Sequence, residues 1–394
     1  MTSARKSILR NRNGFSIVEL LVTMVVFVFV IAAATAMFIP LMNQFKQQSK
    51  IAETATESIV GLEIMRVDIE HAGVGLPKSF QNNAINYSEA ASAPEKAYND
   101  NNTPTKVPRA ILSGNNVGPL NNSDYLVIKS TVVATNAASQ KWTYIRVPLT
   151  GPGAGVTFLK SWPPLPTSPV NLQAGNRVIV LDGTGGQIGF RQLIMNGTNY
   201  FTTFNTAFDA NFSPKSNTGD TYVIYGVDDS SDLRMPFNRA DYFVERPNTN
   251  MPARCAPGTG ILYKATINHS DGKLSRLPLV DCVADMEIIF GLDTDGDGRI
   301  DRYSDDISVV TQFPPDAISK QVAEVRVYVL AQEGQKDPRY TYPSQTITIP
   351  PDPNDPGAGA GKPFDLKAAI GDPEYTYYRW KVYTLVVKPV NLKE

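Results

Sequence analysis

The sequence has 394 residues, of which 42% are hydrophobic and 19% are charged, a composition that suits a folded protein with a large core. The 37 basic and 38 acidic residues give a formal net charge of −1. This balance implies no large basic face, which argues against a nucleic-acid partner. The 29 prolines and 28 glycines indicate many turns and a body rich in β-structure.

The N-terminal region combines a short basic segment with a long apolar run. The basic segment contains four Lys or Arg residues and no acid, and the apolar run covers residues 15–39 with Glu19 as its only charge. About 20 apolar residues are enough to cross a bilayer as a helix. Basic charge before such a helix keeps that end in the cytoplasm. The sequence therefore predicts a single membrane-spanning helix over residues 15–40.

The residues that open the apolar run resemble a type IV prepilin leader, with Gly14, then Phe15, then Glu19 at the fifth position of the mature chain. The resemblance implies cleavage after Gly14 by a prepilin peptidase and N-methylation of the new Phe15 amine. A secretory leader is cut after its apolar region instead. The alternative is a plain signal anchor that happens to carry these residues. Removal of residues 1–14 would take away four positive charges and bring the formal charge from −1 to −5.

Glu19 is a carboxylate inside a predicted membrane helix, which is costly unless a positive group lies nearby. Its place near the helix start is favourable because the helix dipole attracts negative charge there. The resemblance implies that its partner is the Phe15 amine of a neighbouring subunit and that the pair sets axial register during filament assembly. The alternative is that Glu19 only reaches back to the cytoplasmic interface.

The helical pattern continues after Pro40 but becomes amphipathic. Apolar residues recur mostly at three- and four-residue steps, and Gly73 followed by Pro77 predicts the end of the helix. We therefore expect a long spine helix with a membrane half over 15–40 and an amphipathic half over 41–73 that packs on a head. The apolar residues of the second half include Leu41, Phe45, Ile51, Ala55, Ile59, Leu62, Met65 and Ile69.

Residues 74–394 contain runs of β-branched and aromatic residues that are bounded by Gly, Pro, Asn or Asp, as strands are. No regular alternation of strands and helices is present, which favours a mostly antiparallel sheet or sandwich. The predicted fold class is α+β, with the spine helix packed on a large β-rich head. The predicted strands are Tyr125–Val133, Trp142–Val147, Arg177–Leu181, Thr221–Val227, Asp241–Glu245, Ile261–Ile267, Met286–Gly291, Glu324–Ala331, Thr341–Ile349 and Tyr377–Val387.

An Asp-rich segment matches the start of a calcium loop of the D-x-D-x-D-G type. Calcium takes several oxygen ligands at about 2.3–2.6 Å, and alternate carboxylates in a tight loop can supply them. The twelfth loop position is Ser304 where calcium loops have Glu, so an acidic turn without metal is the alternative. The predicted calcium ligands are the side chains of Asp293, Asp295, Asp297 and Asp301 and the backbone carbonyl of Arg299.

The two cysteines, Cys255 and Cys282, lie in the part of the chain that is expected beyond the membrane. An oxidising compartment on that side predicts a disulfide between them. The alternative is a pair of buried free thiols.

Three further segments, 65–73, 277–291 and 377–387, resemble PilW-like minor pilins. The resemblance implies a non-enzymatic minor pilin that acts in priming or tip assembly of the type IV pilus, with other pilins and minor pilins as partners. The head would lie in the periplasm on a single inner-membrane pass, or in the pilus at the cell surface. A type II secretion pseudopilin and a membrane-anchored surface adhesin are the alternatives. The sequence contains no evident nucleophile–base set, which favours a role other than catalysis.

Overall fold

The computed structural model describes residue 14 and residues 16–80, 85–147, 157–163, 171–183, 191–215, 220–307 and 320–392. The chain divides after Ala52 into two compact units, Met1–Ala52 and Glu53–Glu394. Helix α1, Ile17–Glu70, begins in the first unit and ends in the second. The second unit holds the strands, so the predicted α+β class is confirmed.

The described part of the first unit is dominated by the apolar stretch of α1. Every described side chain between Ile17 and Ile39 is exposed, and the stretch is long and apolar enough to cross a membrane. The helix continues through Pro40, although a proline inside a helix removes one backbone hydrogen bond. An exposed apolar surface of this length requires lipid or partner helices around it.

The second unit contains the strands and a short helix, α2, Leu366–Ile370. Most strands have three to twelve residues, and β12 is the longest. In chain order the described strands are β1 Ser79–Phe80, β2 Ile111–Gly114, β3 Tyr125–Ser130, β4 Trp142–Arg146, β5 Phe158–Leu159, β6 Arg177–Asp182, β7 Gln192–Leu193, β8 Thr202–Thr203, β9 Thr221–Asp228, β10 Asn238–Glu245, β11 Gly260–Ile267, β12 Leu274–Leu292, β13 Arg302–Ser304, β14 Val322–Glu333, β15 Thr346–Ile349, β16 Lys362–Asp365 and β17 Arg379–Val387.

These strands form two large sheets and one small hairpin. The main sheet has the order β17-β14-β12-β11-β10-β3-β2, with β13 paired to β12, and its pairs are antiparallel. The second sheet has the order β1-β7-β6-β9-β4-β5, with β8 paired to β6, and only the β1–β7 pair in the described residues is parallel. Strands β15 and β16 form a separate antiparallel hairpin. The head is mostly antiparallel, as predicted.

Both faces of the central strands are buried. Ile288 and Phe290 of β12 join the core that also contains residues of α1 and of the second sheet. Ile289, on the opposite face of β12, packs in a second cluster with β15, β16 and α2. The alternation of side chains along a strand explains why one apolar run serves two separate cores.

The contact face of α1 on the head is narrower than the apolar pattern predicted. Ile59, which we expected to pack on the head, is 61% exposed, whereas Thr54, Ser58 and Gly61 are buried. A Cβ atom added at Gly61 would collide with the carbonyl oxygen of Leu279 in β12. At Gly61 the helix and the strand approach so closely that no side chain fits, whereas Leu62, Met65 and Ile69 are buried in the core as predicted.

The helix ends at Glu70, slightly before the predicted boundary at residue 73, and a turn follows. Gly73 has a positive φ of +86°, a conformation that glycine adopts without strain. Its amide donates to the carbonyl oxygen of Lys129 at 3.0 Å, which ties the end of the helix to β3.

Candidate functional site

Two side-chain hydrogen bonds close the start of α1. The Ser16 amide donates to Glu19 Oε2 at 3.1 Å, and the Val18 amide donates to Ser16 Oγ at 3.3 Å. The arrangement resembles a capping box, except that Ser16 Oγ accepts the amide of the second helical residue and not of the third; two otherwise unpaired amides gain acceptors. This role of Glu19 was not predicted, although Ser-x-x-Glu before an apolar run is its signal. Phe15, the first residue of the predicted mature chain, lies outside the described residues, and Gly14 is exposed.

The threonine hydroxyl groups within the apolar stretch donate hydrogen bonds to backbone carbonyl oxygens of the same helix. Thr23 Oγ1 donates to the Leu20 carbonyl at 2.9 Å, and Thr35 Oγ1 donates to the Ile31 carbonyl at 2.8 Å. Hydroxyl groups in lipid need internal acceptors, because no water is available there. Apart from the capped Glu19, this stretch therefore suits a hydrocarbon environment.

A buried ion pair fixes the last turns of α1 to the main sheet. Asp68 Oδ2 lies 2.5 Å from Lys264 Nζ and accepts a hydrogen bond from the hydroxyl of Tyr242. Burial raises the pKa of Asp68, and the adjacent ammonium of Lys264 opposes that rise. Removal of one partner would leave a buried charge uncompensated, which is strongly destabilising. The pair thus selects one position of this part of α1 on the head.

A second set of contacts lies near residues 53–57 of the helix. Arg254 Nη2 lies 2.6 Å from Glu57 Oε2 and 3.0 Å from Asp281 Oδ2. The amide of Gly334 donates to Thr54 Oγ1 at 2.9 Å. These contacts hold the helix against the loop between β10 and β11 and against the residue that follows β14, and Arg254 also ties that loop to β12.

Cys255 and Cys282 form a disulfide directly beside these contacts, with Cα atoms 4.9 Å apart. The bond joins the loop between β10 and β11 to β12, close to an irregularity in the pairing of that strand. Cys282 has a φ of +57°, so the strand bends at this residue. The bridge closes a loop with a sequence separation of 27 residues, and chain entropy alone makes such a bridge worth about 3–4 kcal/mol.

The predicted calcium segment lies between β12 and β13. One carboxylate oxygen from each of Asp293, Asp295 and Asp297 lies within 4.8 Å of the others. The buried Asp293 accepts the amides of Gly296 at 2.7 Å and Gly298 at 3.0 Å, and both glycines have positive φ. The loop geometry therefore gathers three of the predicted ligands and could offer three oxygens to a cation.

The other two predicted ligands are placed differently. Asp301 Oδ2 accepts both the amide and the hydroxyl of Thr294, each at 2.6 Å, and these bonds lower the pKa of Asp301. The backbone amide of Arg299 donates to Asp297 Oδ1 at 2.8 Å. Asp301 thus closes the base of the loop and is not part of the group of three carboxylates.

A buried group of carboxylates around Lys362 was not predicted. Lys362 Nζ lies 2.9 Å from Glu287 Oε2 and 3.5 Å from Asp285 Oδ2, and it donates to Asn116 Oδ1 at 2.7 Å. Burial raises the pKa of Asp285 to about 7, and it also raises that of the nearby Asp124 to about 7. One ammonium serves three buried carboxylates, so this cluster is sensitive to pH. Alternating acids within the apolar strand β12 were the only sequence signal.

The two histidines have structural partners. His269 is buried, its Nδ1 accepts the Arg234 amide at 3.1 Å, and its Nε2 lies 3.0 Å from Asn238 Oδ1. Burial lowers the pKa of His269 to about 4, so the ring is neutral at pH 7. His71 Nδ1 lies 2.8 Å from the carbonyl oxygen of Val67.

Two family models match the chain in the regions just described. Residues 9–35 match the prokaryotic N-terminal methylation motif, and residues 241–391 match type IV pilus-assembly protein W. The first match contains the capped start of α1, and the second contains the disulfide, the Asp loop and strands β11 to β17. These two matches cover less than half of the 394 residues, and they show that the chain is similar to type IV pilin-like proteins of the PilW type. The matches support the predicted resemblance, and with it a minor pilin related to the type IV pilus.

Neither a curated protein nor a solved structure matches this chain. The PilW match begins inside β10, so the whole second sheet lies outside both family matches. Because the families found are structural components of pili, other pilus proteins are the expected partners.

Proposed function

We propose that this PilW-type protein primes assembly of the type IV pilus or occupies its tip. The observation that carries the proposal is the size of the second unit, which holds an eight-stranded and a seven-stranded sheet. Such a bulky head is difficult to repeat along a thin filament, which favours a scarce or terminal position. In this proposal, residues 1–14 are a leader, 15–40 the membrane half of the spine helix, 41–73 its amphipathic half and 74–394 the periplasmic head.

The assembly step would begin with cleavage after Gly14 by the prepilin peptidase in the inner membrane, followed by methylation of the Phe15 amine. A carboxylate has about four acceptor positions on its two oxygens, so the bond from Ser16 leaves Glu19 able to accept a second donor. The Phe15 amine of a neighbouring pilin would be that donor. The pair would then set axial register, while the exposed apolar residues of α1 pack on the helices of other pilins.

A deletion strain distinguishes the pilus role from the role of a type II secretion pseudopilin. Piliation should be lost or sharply reduced, and secretion of folded exoproteins should remain normal. The opposite result, lost secretion with normal pili, would identify a pseudopilin. For tip occupancy, an epitope inserted after Thr249, in the exposed turn between β10 and β11, should be labelled at one filament end. Labelling along the whole filament would exclude a terminal position.

We infer that the head acts by assembly or binding and not by catalysis. Both cysteines of the chain are joined in the disulfide, so neither is a thiolate nucleophile. Both histidines are engaged in the structural hydrogen bonds described above. These engagements support a non-enzymatic head, since a base must be free to take a proton.

We also propose that the Asp loop binds calcium through Asp293, Asp295 and Asp297. The gathered oxygens support this, and like charges at such distances repel each other unless a cation offsets them. Thermal unfolding of the full chain in detergent should show a calcium-specific rise in Tm relative to EDTA and to magnesium. A calcium concentration one hundred times Kd adds about 2.7 kcal/mol to the free energy of unfolding. Asp295→Ala should abolish the rise, and no shift in the wild type at millimolar calcium would identify an ordinary acidic turn.

A further inference from the structure

The edge of the second sheet carries a face of alternating aromatic and cationic side chains. Alternate residues of β4 and of the following segment 158–162 point to the same side, because side chains alternate along extended chain. Pairing places Arg146 opposite Phe158, and the Lys160 amide donates to the Tyr144 carbonyl. We call this face the ribbon platform; it consists of Trp142, Tyr144, Arg146, Phe158, Lys160 and Trp162.

The aromatic rings of the ribbon platform form a connected row. The ring centroids of Trp142 and Trp162 are 4.9 Å apart, and Tyr144 lies 6.3 Å from Trp162 and 6.4 Å from Phe158. The indole N–H of Trp162 donates to the carbonyl oxygen of Trp142 at 2.8 Å, which fixes the position of that ring. The row is therefore pre-organised, so little ordering would be needed when a ligand binds.

Each cation of the platform lies over a ring. The guanidinium carbon of Arg146 is 5.3 Å from the Phe158 centroid, and Lys160 Nζ is 5.4 Å from the Trp162 centroid. Among the described residues, neither cation has a carboxylate partner. The platform therefore presents uncompensated positive charge beside apolar ring surface.

The platform is not needed to fill the core. Trp142 is 46% exposed and Phe158 is 41% exposed, whereas Thr143 and Ile145, on the opposite face of β4, are buried. Clustered exposed aromatic residues with arginine are the composition of binding surfaces and not of ordinary solvent-facing strands. The fold uses one face of β4 for packing and leaves the other available for a partner.

We propose that the ribbon platform binds an acidic polysaccharide, with sugar rings stacked on the aromatic side chains and carboxylates paired with Arg146 and Lys160. The spacing of one cation beside one ring fits a polymer in which an apolar ring face and a negative group recur together. A neutral glycan would leave both cations unpaired. A nucleic acid requires a continuous basic track along its phosphates, and two cations on a chain with a formal net charge of −1 do not provide it.

The platform contains two of the three tryptophans in the chain, which gives a direct readout. The third, Trp380, is 6% exposed and lies in β17 of the main sheet. Purified full-length protein in detergent would be titrated with oligogalacturonate, and intrinsic fluorescence would be recorded. We expect a saturable change in emission that weakens as salt is raised, and at least about tenfold weaker binding of neutral dextran oligosaccharides.

Variants separate stacking from charge. Phe158→Ala should weaken oligogalacturonate binding about tenfold, whereas Arg146→Gln and Lys160→Gln should remove the preference for the acidic over the neutral oligosaccharide. Lys381→Gln is the matched control, because it removes a cation over Tyr383 on the main sheet and should bind like the wild type. Thermal unfolding would verify that each variant is folded, and isothermal titration would replace fluorescence for Trp142→Ala.

Three results would overturn the proposal. The first is the absence of saturable oligogalacturonate binding by the folded wild type. The second is equal binding of dextran sulfate or oligothymidine, which would indicate attraction to any polyanion or a nucleic-acid surface. The third is unchanged binding by folded Phe158→Ala. None of these results depends on where the protein sits in the pilus, because the purified chain is the sample.

Discussion

Replacement of Asp285 by asparagine should stabilise the head, and the gain should grow as pH rises. Asp285 is fully buried in β12, its Oδ2 has no hydrogen-bond donor, and its closest charged partner, Lys362 Nζ, is 3.5 Å away and is shared with Glu287. Its Oδ1 accepts the Met286 amide at 2.9 Å, and the asparagine carbonyl oxygen can keep that bond. The substitution therefore removes a poorly compensated charge with little change in packing.

The sign and the size of this stability change follow from the pKa of Asp285. Burial raises the pKa of Asp285 from 3.8 to about 7, so the folded state holds a proton that the unfolded state has released. The contribution of this group to stability is fully present below pH 3.8 and is lost as pH rises through 7. At about 1.4 kcal/mol for each pH unit, the loss amounts to roughly 4 kcal/mol. Asparagine does not titrate, so the variant should exceed the wild type by a few kcal/mol at pH 8 and by less at pH 5.

The measurement is thermal unfolding of wild type and Asp285→Asn in detergent at pH 5, 6, 7 and 8. For a unit of this size, one kcal/mol corresponds to about 1–2 °C, so the difference in Tm should reach several degrees at pH 8. Asp229→Asn, at an exposed position, is the control and should show no such trend. A difference in Tm that is independent of pH, or a variant less stable at every pH, would refute the reasoning.

Three further predictions concern the helix. Gly61→Ala should cost about 1–3 kcal/mol in unfolding experiments, because its Cβ would collide with the Leu279 carbonyl, whereas the exposed Ile59→Ala should be nearly neutral. Glu19→Ala should leave membrane insertion and cleavage intact but reduce incorporation into pili. Normal piliation of this variant would contradict the pairing role and support the alternative that Glu19 only reaches back to the cytoplasmic interface. N-terminal sequencing should find Phe15 as the first residue, and Gly14→Ala should slow cleavage; a mature protein that starts at Met1 or beyond Ile31 would contradict the prepilin assignment.

The parts of the fold that could be predicted are those whose signals are local and repeated. The apolar run and the terminal Gly73 located α1 to within a few residues, because helix formation depends on neighbours three and four positions apart. The run Glu324–Ala331 located β14, since its alternating side chains pack on two buried faces. Long elements with buried faces carry redundant signals, so single atypical residues do not hide them.

Short edge elements could not be predicted, because a distant partner defines them. Residues 351–373 are rich in proline, glycine and aspartate, a composition typical of loops, yet the segment contains β16 and α2. Strand β16 exists through its pairing with β15, Ile347 opposite Phe364, and its own composition has little preference for a strand. The two-residue strands β7 and β8 are likewise defined by their pairing with β6.

The candidate sites differ in the same way: some are formed by residues close in sequence, and others by residues that are distant in sequence. The grouped Asp293, Asp295 and Asp297 lie within a few residues, so spacing alone was enough to suggest them. The hydrogen bond between Ser16 and Glu19 is equally local, and its Ser-x-x-Glu signal was present but not used. The Lys362 cluster joins the loop beside β3, strand β12 and strand β16, and no sequence spacing relates them.

The sequence does contain one signal for the Lys362 cluster. Asp285 and Glu287 are acids at alternate positions of β12, whose other residues around them are mostly apolar. Burying Asp285 and Glu287 costs free energy that Lys362 offsets only in part, since a single ammonium is shared between them. Acids in a buried strand predict that a positive group lies nearby, but they do not indicate which residue of the chain provides it. The structure places that charge on β16, so the hairpin of β15 and β16 is held to the main sheet by an interaction that weakens or strengthens with pH.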